Sequence, residues 1–114
     1  WDADDIDKIL ETLQKNNVKI TFFLVGEWVD KYPEAVKKIY EAGHEIGSHS
    51  NTHPHVNNLS SEKNLEEINL SVNKIEKITY SIAIEVAILT SAVAAGYGVL
   101  ENVKEKTKKF IDRL

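Results

Sequence analysis

The sequence predicts an α/β fold in which parallel strands alternate with helices. Three observations carry that expectation. Apolar residues recur at helical spacing in two early segments, Asp4–Asn16 and Pro33–Gly43. Between them Val18–Val25, "VKITFFLV", is β-branched, aromatic and almost wholly apolar after Lys19, which is how a strand buried on both faces reads. After the second helix comes "HEIGSHS", a short strand-like stretch. Helix, buried strand, helix, strand is the order expected of right-handed crossovers on a parallel sheet. In such sheets functional sites gather where the carboxyl ends of strands run into loops.

Each element has its own grounds. In the first helix Ile6, Ile9, Leu10 and Leu13 fall at i, i+3, i+4 and i+7, and aspartates sit where the N-terminal dipole favours them. Asn16 and Asn17 can end it, and Gly26 breaks the strand that follows. Pro33 suits the first position of the second helix; Val36, Ile39 and Tyr40 form its inward face, and Gly43 is its natural stop. Leu59-Ser60-Ser61-Glu62 opens a third helix with serine at the cap, and Leu65, Ile68, Val72, Ile75 and Ile78 give it an apolar stripe. That helix is expected to end near Thr79. Beyond it Ile82, Ile84, Val86 and Ile88 alternate with Ala83, Glu85 and Ala87, which favours a strand by period, while the alanines leave a buried helix open. "AAGYG" then reads as a break and Val99–Leu114 as a final amphipathic helix.

Composition narrows the function. The 114 residues are 42% hydrophobic and 28% charged, which suits a single domain, 1–114, with a core of its own. The absence of cysteine excludes a disulfide framework and a thiolate metal site, so any metal falls to histidine and carboxylate. A net charge of −4 without a basic block argues against a nucleic-acid partner. The stretch Ile82–Leu100 approaches the length of a membrane span. Glu85 and its many small residues make it a poor insertion signal, and no membrane association is expected. The opening residues carry no secretory-leader pattern. A start on Trp1 without any methionine is expected of a chain cut from something longer, or of a processed terminus.

Chemistry concentrates in "HSNTHPH", His49–His55. His49 and His53 are four apart, but Pro54 biases His53 away from the α region and Ser-Asn-Thr is turn material. The pair is therefore expected on a loop that follows a strand. Two neutral imidazoles converging from a tight loop suit a zinc-like divalent ion, yet a catalytic zinc usually takes three protein ligands. Taken alone, the spacing fits a polar loop with hydrogen-bonded histidines better. His44 is expected to be packed and hydrogen-bonded, and His55 to face water. Trp28 and Tyr32 could stack on a sugar, though aromatics in such a loop more often serve packing.

Taken together, "TFFLVG" (residues 21–26), "AGHEIG" (42–47) and "HSNTHP" (49–54) resemble the motifs of the polysaccharide deacetylases, the NodB-homology group known as carbohydrate esterase family 4. "SNTHPH" and the opening "WDADDIDKIL" look most like the peptidoglycan and spore-cortex branch. The likeness runs over residues 1–79, leaving 80–114 divergent. It implies a partial (β/α)-barrel-like fold and a zinc or similar divalent ion held by His49 and His53. It further implies metal-dependent hydrolysis of N-acetyl groups on peptidoglycan- or chitin-type glycans, in a family usually extracellular or wall-associated.

The resemblance also implies an aspartate strand motif before the first helix, an arginine in an "RPPYG"-type segment, and a late histidine acid. Asp2, Asp4 and Asp5 lie near in sequence, but none matches the first, and they read better as helix N-terminal acids, Asp2 being the least implausible substitute. "YSIAIEVAILTSAVAAGYGVL" holds no arginine; Arg113 is the single arginine of the chain, and no histidine follows His55. Catalytic and substrate-binding residues are accordingly unassigned, and this chain alone is expected to be inactive. It would be a piece of a longer deacetylase, a chimera with foreign sequence after Thr79, or a degenerate relative. The alternative is a non-catalytic engineered or recombined α/β module defined by its fold and its self-association. Unpaired strand edges would favour such a homo-oligomer.

Overall fold

The computed structural model describes residues 1–95, 108, 109 and 112, with side chains of the last helix described as far as Ile88. The elements are α1 (Ile6–Lys15), β1 (Thr21–Leu24), α2 (Gly26–Lys31), α3 (Pro33–Glu41), β2 (Glu45–Ser48), a 3₁₀ turn (Val56–Asn58) and α4 (Ser61–Ala95). The chain falls into two compact units, Trp1–Glu76 and Lys77–Leu114. The predicted break at "AAGYG" and the final amphipathic helix lie outside the described residues, apart from Ala94 and Ala95, which belong to α4, and three isolated positions.

In the first unit β1 and β2 pair in parallel, from Thr21 against Glu45 to Leu24 against Ser48. The two strands are joined through α2 and α3, and α3 packs on α1, α2 and β2. Leu24, Val25, Val29, Ala35, Val36, Ile39 and Ile75 form the core, with Val36 and Ile39 fully buried. The α/β expectation is borne out.

Local chemistry explains where the helices stop. Gly43 has φ +81°, which costs glycine little. Its N–H donates to the Tyr40 carbonyl, while the His44 N–H reaches the Ile39 carbonyl. This pair of bonds is a Schellman closure of α3. Asn17, at φ 54°, closes α1 in the same way through its own N–H to Gln14 and the Val18 N–H to Leu13.

Several expectations are corrected. Strand β1 is shorter than Val18–Val25 and is not buried on both faces: Phe23 is 65% exposed. Ile9 on α1 is also exposed, so the inward stripe of that helix is narrower than its periodicity suggested. Gly26 does not merely end the strand; it begins α2, six residues too short to show a period. Finally, α4 runs on through Ile82–Ile88 as helix. Ile82 and Ile88 are buried while Val86 is 58% exposed, whereas a strand would set all three on one face. Interleaved alanines, the best helix formers, let the β-branched residues continue the helix.

The inward face of α4 also differs from its apolar stripe. Leu65 and Ile68 are exposed, whereas Ser71 and Ile75 are buried. Among the described residues no helix is long and apolar enough to cross a membrane.

Candidate functional site

The parallel register brings the carboxyl ends of β1 and β2 to one level, and the histidine loop leaves from there. The His49 N–H donates to the Leu24 carbonyl at 2.9 Å, extending the ladder by one residue. The chain then turns alongside the start of α2. Gly26 N–H donates to the Ser50 carbonyl and Glu27 N–H to the Asn51 carbonyl, each at 2.9 Å. These are first-turn amides that have no partner within their own helix, so the loop carbonyls satisfy them. The approach is close enough to require glycine: a Cβ at Gly26 would lie 3.1 Å from Asn51 Cα and collide with the Asn51 side-chain oxygen.

Two non-glycine residues of this loop adopt left-handed backbone angles, Ser50 at φ 62° and His53 at φ 59°. Pro54 had already disfavoured the right-handed α region for His53. The His53 N–H donates to Ser50 Oγ at 3.1 Å, closing the turn. As a result the two imidazoles approach each other, with ring centroids 4.8 Å apart and planes tilted by 42°. Both histidines are exposed. Trp1 meets His53 edge-on at 5.2 Å. Together with Phe23, Leu24, Val25 and Trp28, these residues line a cleft of about 310 Å³. An adjoining hollow of about 420 Å³ shares Trp1, Val25, Trp28 and His53 and adds Glu27, Lys31 and Thr52.

The amide side of the turn is held from α4. Glu67 accepts the Asn51 N–H at 2.9 Å and the Thr52 N–H at 2.8 Å through one carboxylate oxygen. Its other oxygen takes the Thr52 hydroxyl at 3.1 Å. One turn further along, the fully buried Ser71 hydroxyl lies 3.0 Å from Ser48 Oγ and 3.5 Å from the Leu24 carbonyl. Lys74 then pairs with Asp30 of α2 at 2.5 Å. Glu67, Ser71 and Lys74 are spaced i, i+4 and i+7, so a polar stripe of α4 faces the strand ends.

The Thr52 N–H is the chief cause that holds the Glu67 carboxyl below the ordinary carboxylate range. The Thr52 hydroxyl, the Asn51 N–H and the Lys74 ammonium help, and desolvation opposes. Because the folded value is depressed, the stabilisation is complete above the ordinary glutamate pKa of about 4.3 and is lost as pH falls through the lower folded value. The Asn51 and Thr52 amide resonances are therefore expected to move together in an acid titration, with a midpoint below about 4.3. A midpoint at or above that value would contradict the arrangement.

The other residues singled out in the sequence lie as follows. His44 is buried; its Nδ1 accepts the Ile20 N–H at 3.3 Å and its ring meets Phe22 edge-on at 5.4 Å, so it is packed as expected. His55 is exposed and its carbonyl accepts the Asn58 N–H, starting the 3₁₀ turn. Trp28 packs against Tyr32 with ring centroids 5.3 Å apart, yet it also lines the cleft. Asp2 accepts the Asp4 N–H on its side chain and the Trp28 indole N–H on its carbonyl. Among the described residues no group of three histidine, aspartate or glutamate side chains could hold a metal, so Asp2 is not brought to the histidine pair.

Sequence reasoning missed Glu67 and Ser71. The available signal was the polar series Asn64, Glu67, Ser71, Lys74 at helical spacing, a second stripe running beside the apolar one.

The polysaccharide deacetylase family matches residues 2–102. Peptidoglycan-N-acetylglucosamine deacetylase of Bacillus cereus is 39% identical over 82 residues, which is 72% of this chain and 28% of that protein. Among solved structures, BA3943 of Bacillus anthracis, described as a pseudoenzyme of carbohydrate esterase family 4, aligns at 39% identity with a TM-score of 0.67. The alignment covers 69% of this chain and 28% of that one. Peptidoglycan deacetylase PdaC of Bacillus subtilis aligns at 35% identity with a TM-score of 0.64, over 69% and 39%. The chain spans between about an eighth and just over a quarter of the length of the curated relatives it matches. By a match over most of its residues and by the fold it shares with these structures, the chain belongs to the polysaccharide deacetylase family, the NodB-homology group of carbohydrate esterases.

Proposed function

We propose that this chain serves the metal-dependent removal of N-acetyl groups from peptidoglycan- or chitin-type glycans. Its contribution to the metal centre is the pair His49 and His53. The observation that carries this reading is the convergence of the two imidazoles, 4.8 Å between ring centroids, in a cleft at the carboxyl ends of two parallel strands. The donor set fits zinc in kind, since neutral imidazoles are common zinc ligands, and supplies two of the usual three protein ligands of a catalytic site. Zinc at this position would act as a Lewis acid on an amide carbonyl. The work of the chain itself is to hold the imidazoles in place and to offer the faces of Trp1, Trp28 and Phe23 to a sugar ring.

With no third ligand joining the pair among the described residues, the chain by itself is proposed to release no acetate. Incubation of the zinc-supplemented chain with chitooligosaccharide and with peptidoglycan tests this, and acetate at the buffer level is the expected result. Zinc-dependent release that disappears in His49→Ala would contradict it. A second reading, a non-catalytic member of the family, is favoured by the likeness to BA3943, described as a pseudoenzyme. The two readings part at the metal: the first needs zinc held by His49 and His53, and the second does not.

A further inference from the structure

We infer that Glu67 is a positioning residue for the histidine pair: from α4 it fixes the Ser50–His53 turn so that both imidazoles converge on one cleft. The inference rests on the proposed role of that pair and names the residue on which its geometry depends. Left-handed backbone at Ser50 and His53 is strained for residues that carry a Cβ, and such strain persists only where the surroundings over-determine it. The turn is held from two sides. On the carbonyl side Ser50 and Asn51 accept the Gly26 and Glu27 amides of α2. On the amide side the Asn51 and Thr52 N–H groups and the Thr52 hydroxyl all donate to Glu67. Bonds to an ionised acceptor are the stronger kind.

Glu67 is itself well anchored. Four residues on, Ser71 is fully buried against Ser48 and the Leu24 carbonyl, the two residues that end the strands. Seven residues on, Lys74 is paired with Asp30 of α2. These contacts set the rotation and height of the part of α4 that carries Glu67 against the strand ends, and so where the carboxylate meets the turn. Its bonds go to the turn between the histidines, so it acts on the imidazoles through the backbone.

The test uses the full 114-residue chain, with Glu67→Gln as a near-isosteric variant and Glu67→Ala as the complete deletion. Three quantities are compared: amide hydrogen exchange at Asn51 and Thr52, the metal-free NOE between the His49 and His53 rings, and zinc affinity by competition titration. In Glu67→Gln exchange at Asn51 and Thr52 is expected to quicken while that of Ile39 in α3 stays at its wild-type rate. The ring NOE weakens, and zinc affinity falls about 10-fold, in the range seen when partners that orient metal ligands are removed. Glu67→Ala loses more. If exchange quickens but the NOE and zinc affinity stay at wild-type values, the turn loosens without moving the imidazoles and the inference is overturned, with the metal reading intact. If wild type holds zinc no better than a His49→Ala, His53→Ala variant, the metal reading fails instead. The NOE in Glu67→Gln then decides alone: its loss supports positioning and its retention overturns it. Should Glu67→Ala lose its far-UV helical signal, Glu67→Gln carries the test.

Discussion

Zinc binding is expected to fall by more than about 100-fold when His49 and His53 are both replaced by alanine, since removing direct ligands exceeds the 10–100-fold cost of removing the groups that orient them. Each single variant should lose most of the affinity, because one imidazole leaves the ion with solvent for the rest of its shell. The fold should not be the cause. Both histidines are exposed, and the hydrogen bonds that hold their segment run from backbone groups that alanine retains, the His49 N–H to Leu24 and the His53 N–H to Ser50 Oγ. Titration calorimetry on wild type, both singles and the double variant, with circular dichroism as a control for folding, checks the expectation. Equal affinity in wild type and double variant would remove the pair from the metal centre.

The largest loss of stability is expected from Ile39→Ala. Ile39 is fully buried on α3, the helix that packs on α1, α2 and β2. Truncation removes apolar contacts on several sides and leaves a cavity that its neighbours fill only in part, a cost of about 2–5 kcal/mol. For a domain of marginal stability that is a large share of the total. The Schellman closure of α3 would survive, since it uses the Ile39 carbonyl rather than its side chain. Urea unfolding of wild type and variant measures the difference. A loss below about 1 kcal/mol, smaller than core truncations give, would contradict the burial of this residue.

Helices and strands with strong local signals were legible from the sequence. The stops at Asn17 and Gly43 are decided by one residue's freedom to adopt a left-handed angle, and β2 follows directly from the second stop. The placement of His49 and His53 on a turn was legible because Pro54 and "SNT" act locally. What could not be read was set by partners distant in sequence. Helix α2 is six residues long, and its first two amides find their acceptors in the histidine loop rather than in any periodic pattern. The inward face of α4 was misjudged because hydrophobic count favours Leu65 and Ile68. The strand ends and the turn require hydrogen-bonding groups there, and Glu67 and Ser71 supply them. Glu67 itself looks like any helix-surface acid until the N–H donors to its carboxylate, 15 and 16 residues upstream, are brought beside it.

The central claim, that this loop presents two imidazoles to one metal ion, is tested most directly by X-ray absorption at the zinc edge on the loaded chain. Two nitrogen scatterers at about 2.0–2.1 Å with the outer-shell pattern of imidazole are the predicted result, the remainder of the shell being oxygen. In His49→Ala, His53→Ala that imidazole pattern should disappear. A shell of oxygen alone in the wild-type chain, or an imidazole pattern that persists in the double variant, would contradict the account.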